Sequence, residues 1–365
     1  MESLKATNQY NELVEDSRLI YDSLGNLNKC FLGKKILITG AAGFLGSQFA
    51  FYFKYLNETL NKTDKVKIYL WDNYIRGFPD WMNEFIPLQH FTIEKKDIIK
   101  DSSFPEVEYI IHAASIASPI YYRKYPLETI FSNITGIKNI LDYSVDNNKI
   151  KSILFFSTSE IYGDPDPSNI PTKETYRGNV SCTGPRACYD ESKRVGETIC
   201  VNYHKVHKVP VKIARPFNNY GPGLKISDRR VIPDFFRNIF NNEDIELLSD
   251  GSATRTFCYI SDAIDGYLRI LLSNHNGESF NIGNITPEIN MLDLAKKIIR
   301  ISNKPLKVKF KKSNDKYYLS DNPMRRCPSI EKAKQLLNFN PKVSIEEGLI
   351  RTFNYYSKNL NSEDK

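Results

Sequence analysis

Gly40-Ala-Ala-Gly43-Phe-Leu-Gly46 decides the fold of this chain. The run before it, Lys35-Ile-Leu-Ile-Thr39, is short, apolar and β-branched, as a buried parallel strand is. The run after it, from Phe44 to Leu60, spaces its apolar residues at helical intervals. Strand, glycine turn and helix form a phosphate-binding unit. Gly40 permits the sharp turn, Gly43 permits backbone approach to a pyrophosphate, and Gly46 permits close packing of the helix. The helix N-terminus then offers its unpaired N–H groups to the phosphates. A second strand, Val66-Lys-Ile-Tyr-Leu-Trp71, ends in Asp72, 26 residues beyond Gly46. An acid at that place binds ribose hydroxyls and repels a 2′-phosphate, which predicts NAD rather than NADP. A glycine turn that only packs a helix on a sheet is the bland alternative.

Tyr189-Asp-Glu-Ser-Lys193 opens a helical stretch that runs to His207. Tyrosine and lysine at i and i+4 share a helix face. An ammonium beside a phenol lowers its pKa, so Tyr189 is expected to accept and donate a proton with help from Lys193. Ser157-Thr-Ser-Glu160 follows the strand Lys151-Ser-Ile-Leu-Phe-Phe156, and open α/β sheets place ligands at the carboxyl ends of their strands. A surface helix with a fortuitous Tyr–Lys pair is the competing reading.

Strands are predicted at 35–39, 66–72, 90–96, 107–112, 151–157 and 209–215, and helices at 44–61, 126–148 and 187–207. That alternation predicts an α/β chain: a doubly wound parallel sheet over 34–215, joined by a later segment near 255–275. Residues 216–358 are punctuated by proline and read as a smaller α+β substrate-binding domain. Residues 1–33 form a helical extension. Leu13, Ser17, Ile20 and Leu24 recur at helical spacing there, on a helix that packs on the domain or on a partner subunit. Residues 359–365 are expected to fray.

With 365 residues and a net charge of +7, the chain has the composition of an ordinary globular protein. No apolar run is long enough to span a bilayer, and Met1-Glu-Ser-Leu-Lys-Ala6 lacks the features of a signal peptide, so a cytoplasmic location is expected. Six scattered cysteines (Cys30, Cys182, Cys188, Cys200, Cys258, Cys327) predict reduced thiols and no metal site. The lysines from Lys304 to Lys316 read as a solvated strand and loop rather than a nucleic-acid stripe.

Further motifs carry a resemblance over residues 34–357. They are His112-Ala-Ala-Ser115 with Ala117-Ser-Pro119; Ser157-Thr-Ser-Glu-Ile-Tyr-Gly-Asp-Pro165; Gly178-Asn-Val180; Gly184-Pro-Arg-Ala-Cys-Tyr-Asp-Glu191; Arg215-Pro-Phe-Asn-Asn-Tyr-Gly221; Thr254-Arg-Thr-Phe257; and Arg325-Arg326. Together they resemble the extended short-chain dehydrogenases/reductases that act on nucleotide sugars, the NAD-dependent epimerase/dehydratase type with a Rossmann sheet. Within that type the chain is most similar to the UDP-glucuronic acid decarboxylases, which form UDP-xylose.

The resemblance implies roles. Thr158, Tyr189 and Lys193 would transfer protons at C4, with Glu160 and Arg326 at the sugar. NAD would lie on Gly40, Gly43, Phe44, Leu45, Gly46, Asp72, Asn73, Asp97, Ile98, Ala113, Ala114, Ser115 and Asn133, besides Tyr189 and Lys193. Ser118, Tyr122, Arg186, Asn218, Arg230 and Arg255 would hold the nucleotide sugar. It also implies a lyase serving polysaccharide synthesis, and a homodimer with no membrane or nucleic-acid partner. The dimer would pair two helices through Val195, Ile199, Tyr203 and Val206 on one, and Ile130, Ile134, Ile137, Ile140 and Leu141 on the other.

The chain departs from the decarboxylases at Tyr176-Arg-Gly-Asn-Val-Ser181, Tyr125-Pro126 and Gly221-Pro-Gly223. Asp228-Arg-Arg-Val-Ile-Pro-Asp234 is closer to the sugar 4,6-dehydratases. A 4,6-dehydratase, a 4-epimerase or a 4-dehydrogenase therefore stands beside the decarboxylase reading. A non-catalytic NAD-binding regulatory protein is the reading from another class.

Overall fold

The computed structural model describes residues 10–101, 103–311 and 323–360. Seven strands form one sheet: β1 (Lys35–Thr39), β2 (Lys67–Asp72), β3 (Phe91–Lys95), β4 (Tyr109–His112), β5 (Ser152–Phe156), β6 (Val211–Pro216) and β7 (Ser279–Ile282). Their order is β7-β6-β5-β4-β1-β2-β3, and every neighbouring pair is parallel. The chain winds outward from β1 to β3 on one side and from β4 to β7 on the other. The order reverses between β1 and β4, and a crevice opens there at the strand ends. Thr39 of β1 stands in register with His112 of β4, and its Oγ1 lies 2.7 Å from His112 Nδ1.

The helices are α1 (Asn11–Leu24), α2 (Phe44–Thr59), α3 (Pro119–Lys124), α4 (Pro126–Val145), α5 (Ala187–His207), α6 (Val231–Phe240), α7 (Ile260–Leu272), α8 (Met291–Ser302), α9 (Glu331–Leu337) and α10 (Ile345–Asn359). Both faces of the sheet are covered, as the unbroken apolar strands require. Alternation along β1 sends Leu37 into one core with Ile137, Ile140 and Leu141 of α4. Ile36 and Ile38 enter the other core with Phe49 and Phe53 of α2 and Ile264 and Leu268 of α7. Ile137, Ile140 and Leu141, expected at a subunit interface, are fully buried against their own sheet. Leu127, Phe131, Val145, Val195 and Val206 are the exposed large apolar side chains of α4 and α5.

The alternating pattern does not end at residue 215. Helix α7 packs on the sheet, with Tyr267 edge-on to Phe156 of β5 at 4.8 Å, and leads into β7 beside β6. The sequence hides β7 because it is four residues long and carries a polar Asn281. That side chain is buried but satisfied: Nδ2 donates to Thr172 O and Ser329 O, and Oδ1 accepts from the Tyr162 hydroxyl. Leu13, Ser17, Ile20 and Leu24 of α1 are buried. Asn359 closes α10, while residues 361–365 and 312–316 of the lysine run lie outside the described residues. In the described part of that run, Lys309 and Lys311 pair with Asp244 and Glu246.

The parts of residues 216–358 outside the main sheet form the cap, which includes several very small sheets. Thr254–Arg255 pairs with Ile289–Asn290 on one side and with Arg325–Arg326 on the other. Ile245–Leu247 pairs with Val308–Phe310. Among the described residues no helix is long and apolar enough to cross a membrane, and no group of three or more His, Cys, Asp or Glu residues could hold a metal ion.

Candidate active site

The glycine turn joins β1 to α2 at the crevice. Gly40 has φ +69°, and a Cβ there would lie 2.6 Å from the Ala113 carbonyl, so the turn lies directly against the end of β4. A Cβ on Gly46 would lie 2.4 Å from the Gly40 carbonyl oxygen. Its close approach is thus to the turn itself. Gly43 caps α2 without a side-chain acceptor, leaving the first-turn N–H groups free of a side-chain cap. Asp72, at the end of β2, accepts Ala42 N–H at 3.0 Å and Tyr74 N–H at 2.7 Å. Burial pushes its carboxyl up, and those two amides oppose the shift.

A cavity of about 1190 Å³ runs from this turn into the cap. Gly40, Gly43, Phe44, Leu45, Gly46, Asp72, Asn73, Asp97, Ile98, Ala113, Ala114 and Ser115 line one end. Ser118, Tyr122, Thr158, Glu160, Arg186, Tyr189, Lys193, Asn218, Arg230, Arg255 and Arg326 line the rest. Asn133 does not line it. It is fully buried on α4, where its amide donates to Ser192 Oγ of α5 at 2.9 Å and ties the two helices together. The residues at the turn fit NAD. The backbone approach is one that a side chain would block, an acid stands at ribose distance along the chain, and the buried Ser115 Oγ in the cavity wall has no hydrogen-bond partner.

Thr158 follows β5 and accepts Glu160 N–H at 3.2 Å, capping the short helix Ser159–Tyr162. Tyr189 and Lys193 lie on the buried face of α5. The Lys193 ammonium donates to Phe156 O at 2.6 Å and stands 5.9 Å from the centre of the Tyr189 ring. Burial pulls Lys193 down to about 7. The expectation of a depressed phenol is not met. Burial pushes Tyr189 up to about 12, with the Thr158 hydroxyl opposing. Tyr122 of α3 stacks on Tyr189, with ring centroids 5.2 Å apart and planes 7° apart, and its buried hydroxyl has no hydrogen-bond partner.

Glu160 is the centre of the cap-side charge. Arg326 donates to both of its oxygens through Nη1 and Nη2, and Arg186 donates to Oε2. Burial raises this carboxyl, but Arg186 and Arg326 outweigh burial and hold it at about 2. Asp190, quoted in the Tyr189–Lys193 motif but not named there as a candidate site residue, lies beside Arg186, and burial with the Glu160 charge pushes it up to about 7. Arg255 donates to the carbonyls of Thr254, Pro323 and Met324. Burial, with Arg326 beside it, pulls Arg255 down to about 9. Asn218, at φ +42°, donates to Thr256 O at 2.8 Å. Sequence reasoning also missed Arg76 and Asp228 on the cavity wall, although Asp228 lies in the quoted Asp-Arg-Arg motif.

A family model described as "NAD dependent epimerase/dehydratase family" matches residues 36–283. UDP-glucuronic acid decarboxylase 5 of Arabidopsis thaliana is 37% identical over 326 residues, 89% of this chain and 90% of that protein. UDP-glucuronic acid decarboxylase 1 of Xenopus tropicalis is 36% identical over 327 residues, 90% of this chain and 73% of that protein. An epimerase from Methanothermobacter thermautotrophicus superposes with a TM-score of 0.79 at 25% identity, covering 93% of this chain and 96% of its own. The UDP-glucuronic acid 4-epimerase of Bacillus cereus, in complex with UDP-glucuronic acid and NAD, gives a TM-score of 0.73 at 26% identity, covering 89% and 99%.

Proposed function

The chain belongs to the NAD-dependent epimerase/dehydratase family, and from that premise we propose that it decarboxylates UDP-glucuronate to UDP-xylose. The observation that carries the reading is the set of three arginines, Arg186, Arg255 and Arg326, around the Glu160 carboxylate with Asp190 beside Arg186, in the cavity that also holds Tyr189. Cationic charge in excess of the acid suits a sugar bearing its own carboxylate.

The glycine turn and Asp72 would hold NAD, which when bound would supply reversible hydride acceptance at C4. Tyr189, once ionised to the phenolate, would take the proton of the C4 hydroxyl, and Thr158 would steady that phenolate through its hydrogen bond. Lys193 stands behind the ring as the nearby amine. A ketone at C4 is β to the C6 carboxylate, so breaking the C5–C6 bond releases carbon dioxide and leaves the electron pair in an enolate. Arg326 and Arg186 would stabilise that charge, and C5 would then take a proton from a water molecule in the cavity. Arg230 and Asn218 hold the diphosphate in this reading.

The similarity to a UDP-glucuronic acid 4-epimerase gives the second reading, in which the same ketone is reduced from the opposite face. Incubation with a panel of nucleotide sugars and product mass spectrometry tests both. A loss equal to carbon dioxide supports decarboxylation. A loss equal to water means dehydration, and an unchanged mass with a new retention time means epimerisation.

The reading extends to a cytoplasmic enzyme that supplies polysaccharide synthesis, consistent with six free cysteines. It also extends to a homodimer joined through the exposed faces of α4 and α5.

A further inference from the structure

Asp228 is 2% exposed, yet it lies far from the proton-transfer groups in sequence and is tied to three separate parts of the cavity wall. Arg76, in the loop that follows Asp72, donates from Nη1 to Asp228 Oδ2 at 2.9 Å. Arg230, two residues on, places Nε 2.8 Å from Oδ1, close enough for an ion pair but not aligned as a hydrogen bond. The Asp228 carbonyl accepts from the buried Ser118 hydroxyl at 2.8 Å. The guanidinium of Arg76 also covers the Tyr121 ring, 4.3 Å from its centre. Tyr121 sits on α3 next to Tyr122, which stacks on Tyr189. Lys225 closes the set from the cap by donating to the Arg76 carbonyl at 3.2 Å.

A carboxylate buried between two guanidiniums is stabilised only while both remain; withdrawing one leaves an under-compensated buried charge that pulls on the other. Arg76 lies four residues after Asp72, the acid expected at the cofactor ribose, in the loop that begins at Asn73. The turn carrying Arg230 belongs to the cap. Resting on the nucleotide-sugar reading for its substrate half, we propose that the Arg76–Asp228 pair is a latch. It joins the cofactor loop to the cap and orients Arg230 toward the substrate diphosphate. Arg76 is thus a positioning residue that acts through Asp228, and it also slows escape of the cofactor.

The test uses the full-length protein with Arg76→Met, Arg76→Gln, Arg76→Lys and Asp228→Asn. Two quantities are read: the release rate of preloaded NADH on chase with excess NAD, and the affinity for UDP. In Arg76→Met and Asp228→Asn, release should quicken and UDP binding weaken, each by about tenfold, and the double variant should be no worse than either single. Arg76→Lys, which keeps the charge on Asp228 but loses the planar stack on Tyr121, should fall between the parent and Arg76→Met in both readings. Should Arg76→Met not fold, Arg76→Gln decides by the same two readings. Parental release and parental UDP affinity in the folded Met or Gln variant overturn the latch, as do additive effects in the double variant or a Lys variant as defective as Met. NADH release needs no sugar nucleotide. It therefore separates failure of the latch from failure of the nucleotide-sugar reading, which would show as no UDP binding by the parent.

Discussion

Arg326 stands directly opposite Arg255 in a parallel pair of two-residue strands. Two like charges on neighbouring strands repel, and the pair persists because Glu160 accepts one N–H from each terminal nitrogen of Arg326 while Arg255 turns to the carbonyls of Thr254, Pro323 and Met324. The cap thereby holds positive charge at a fixed place over the carboxyl ends of the Rossmann strands. A substrate carboxylate entering there would meet donors already oriented, at little cost in reorganisation.

That arrangement divides the labour. Tyr189→Phe should abolish every step, with a rate loss on the order of 10²–10⁴ for the missing proton transfer. Glu160→Gln and Arg326→Ala should spare much of the first oxidation and depress the step at C5 and C6. Absorbance of reduced nicotinamide should then accumulate on these two variants while final product falls. If both turn over substrate like the parent, Glu160 and Arg326 have no part in the sugar chemistry.

Asp72 is expected to set the cofactor preference. Its oxygens each accept one backbone N–H and keep lone pairs for ribose hydroxyls. Arg76, the arginine of the same loop, is engaged by Asp228 rather than open to a 2′-phosphate. NAD should bind at least about tenfold more tightly than NADP, and Asp72→Ala should narrow the gap. Fluorescence titration with the two reduced cofactors measures this, and equal or tighter binding of the phosphorylated one refutes it.

The central fold was legible because β1, β2 and β5 are nearly continuous apolar runs bounded by turn residues, and because the glycine turn occurs between a strand and a helix. Strand β7 escaped because its Asn281 breaks the apolar pattern, and only the folded chain shows the three groups that satisfy it. The pairing of Arg255 with Arg326 could not be read at all, since two-residue strands have no periodicity and their register is fixed by distant packing. Asn133 was placed at the cofactor by the resemblance alone; its amide instead donates to Ser192, 59 residues away in the chain. The direction of the Tyr189 shift depends on burial outweighing its hydrogen bond, and a residue spacing carries no measure of burial.

The subunit interface should lie on α4 and α5. Leu127 and Val206 are 61% and 71% exposed, with Phe131 and Val195 beside them in the chain order of the same helices. Exposed apolar side chains of that size suit an interface between copies related by a twofold axis. Light scattering at micromolar concentration should give a dimer. Leu127→Asp with Phe131→Asp should raise the dissociation constant by at least about tenfold. A parent protein that weighs as a monomer would overturn the assignment.

Asp16 makes the fold pH-dependent at a place remote from the chemistry. It is fully buried on α1, accepts the Tyr259 hydroxyl at 2.9 Å and lies 3.4 Å from Arg351 Nη1. Burial pushes its carboxyl up to about 7, with Tyr259 and Arg351 opposing. The folded value therefore lies above the unfolded one, near 3.9. Between those two values the folded state keeps a proton that the unfolded state has lost, so stability falls as pH rises through that window and the loss is complete above about 7. A shift of this size corresponds to roughly 4 kcal/mol at most. Asp16→Asn cannot lose a proton and keeps an oxygen for Tyr259. Denaturant melts of parent and variant at about pH 4 and about pH 8 should therefore show the parent losing several kcal/mol more than the variant between the two conditions. Equal losses in both proteins would show that Asp16 is ionised without penalty in the fold, and that α1 docks independently of its charge.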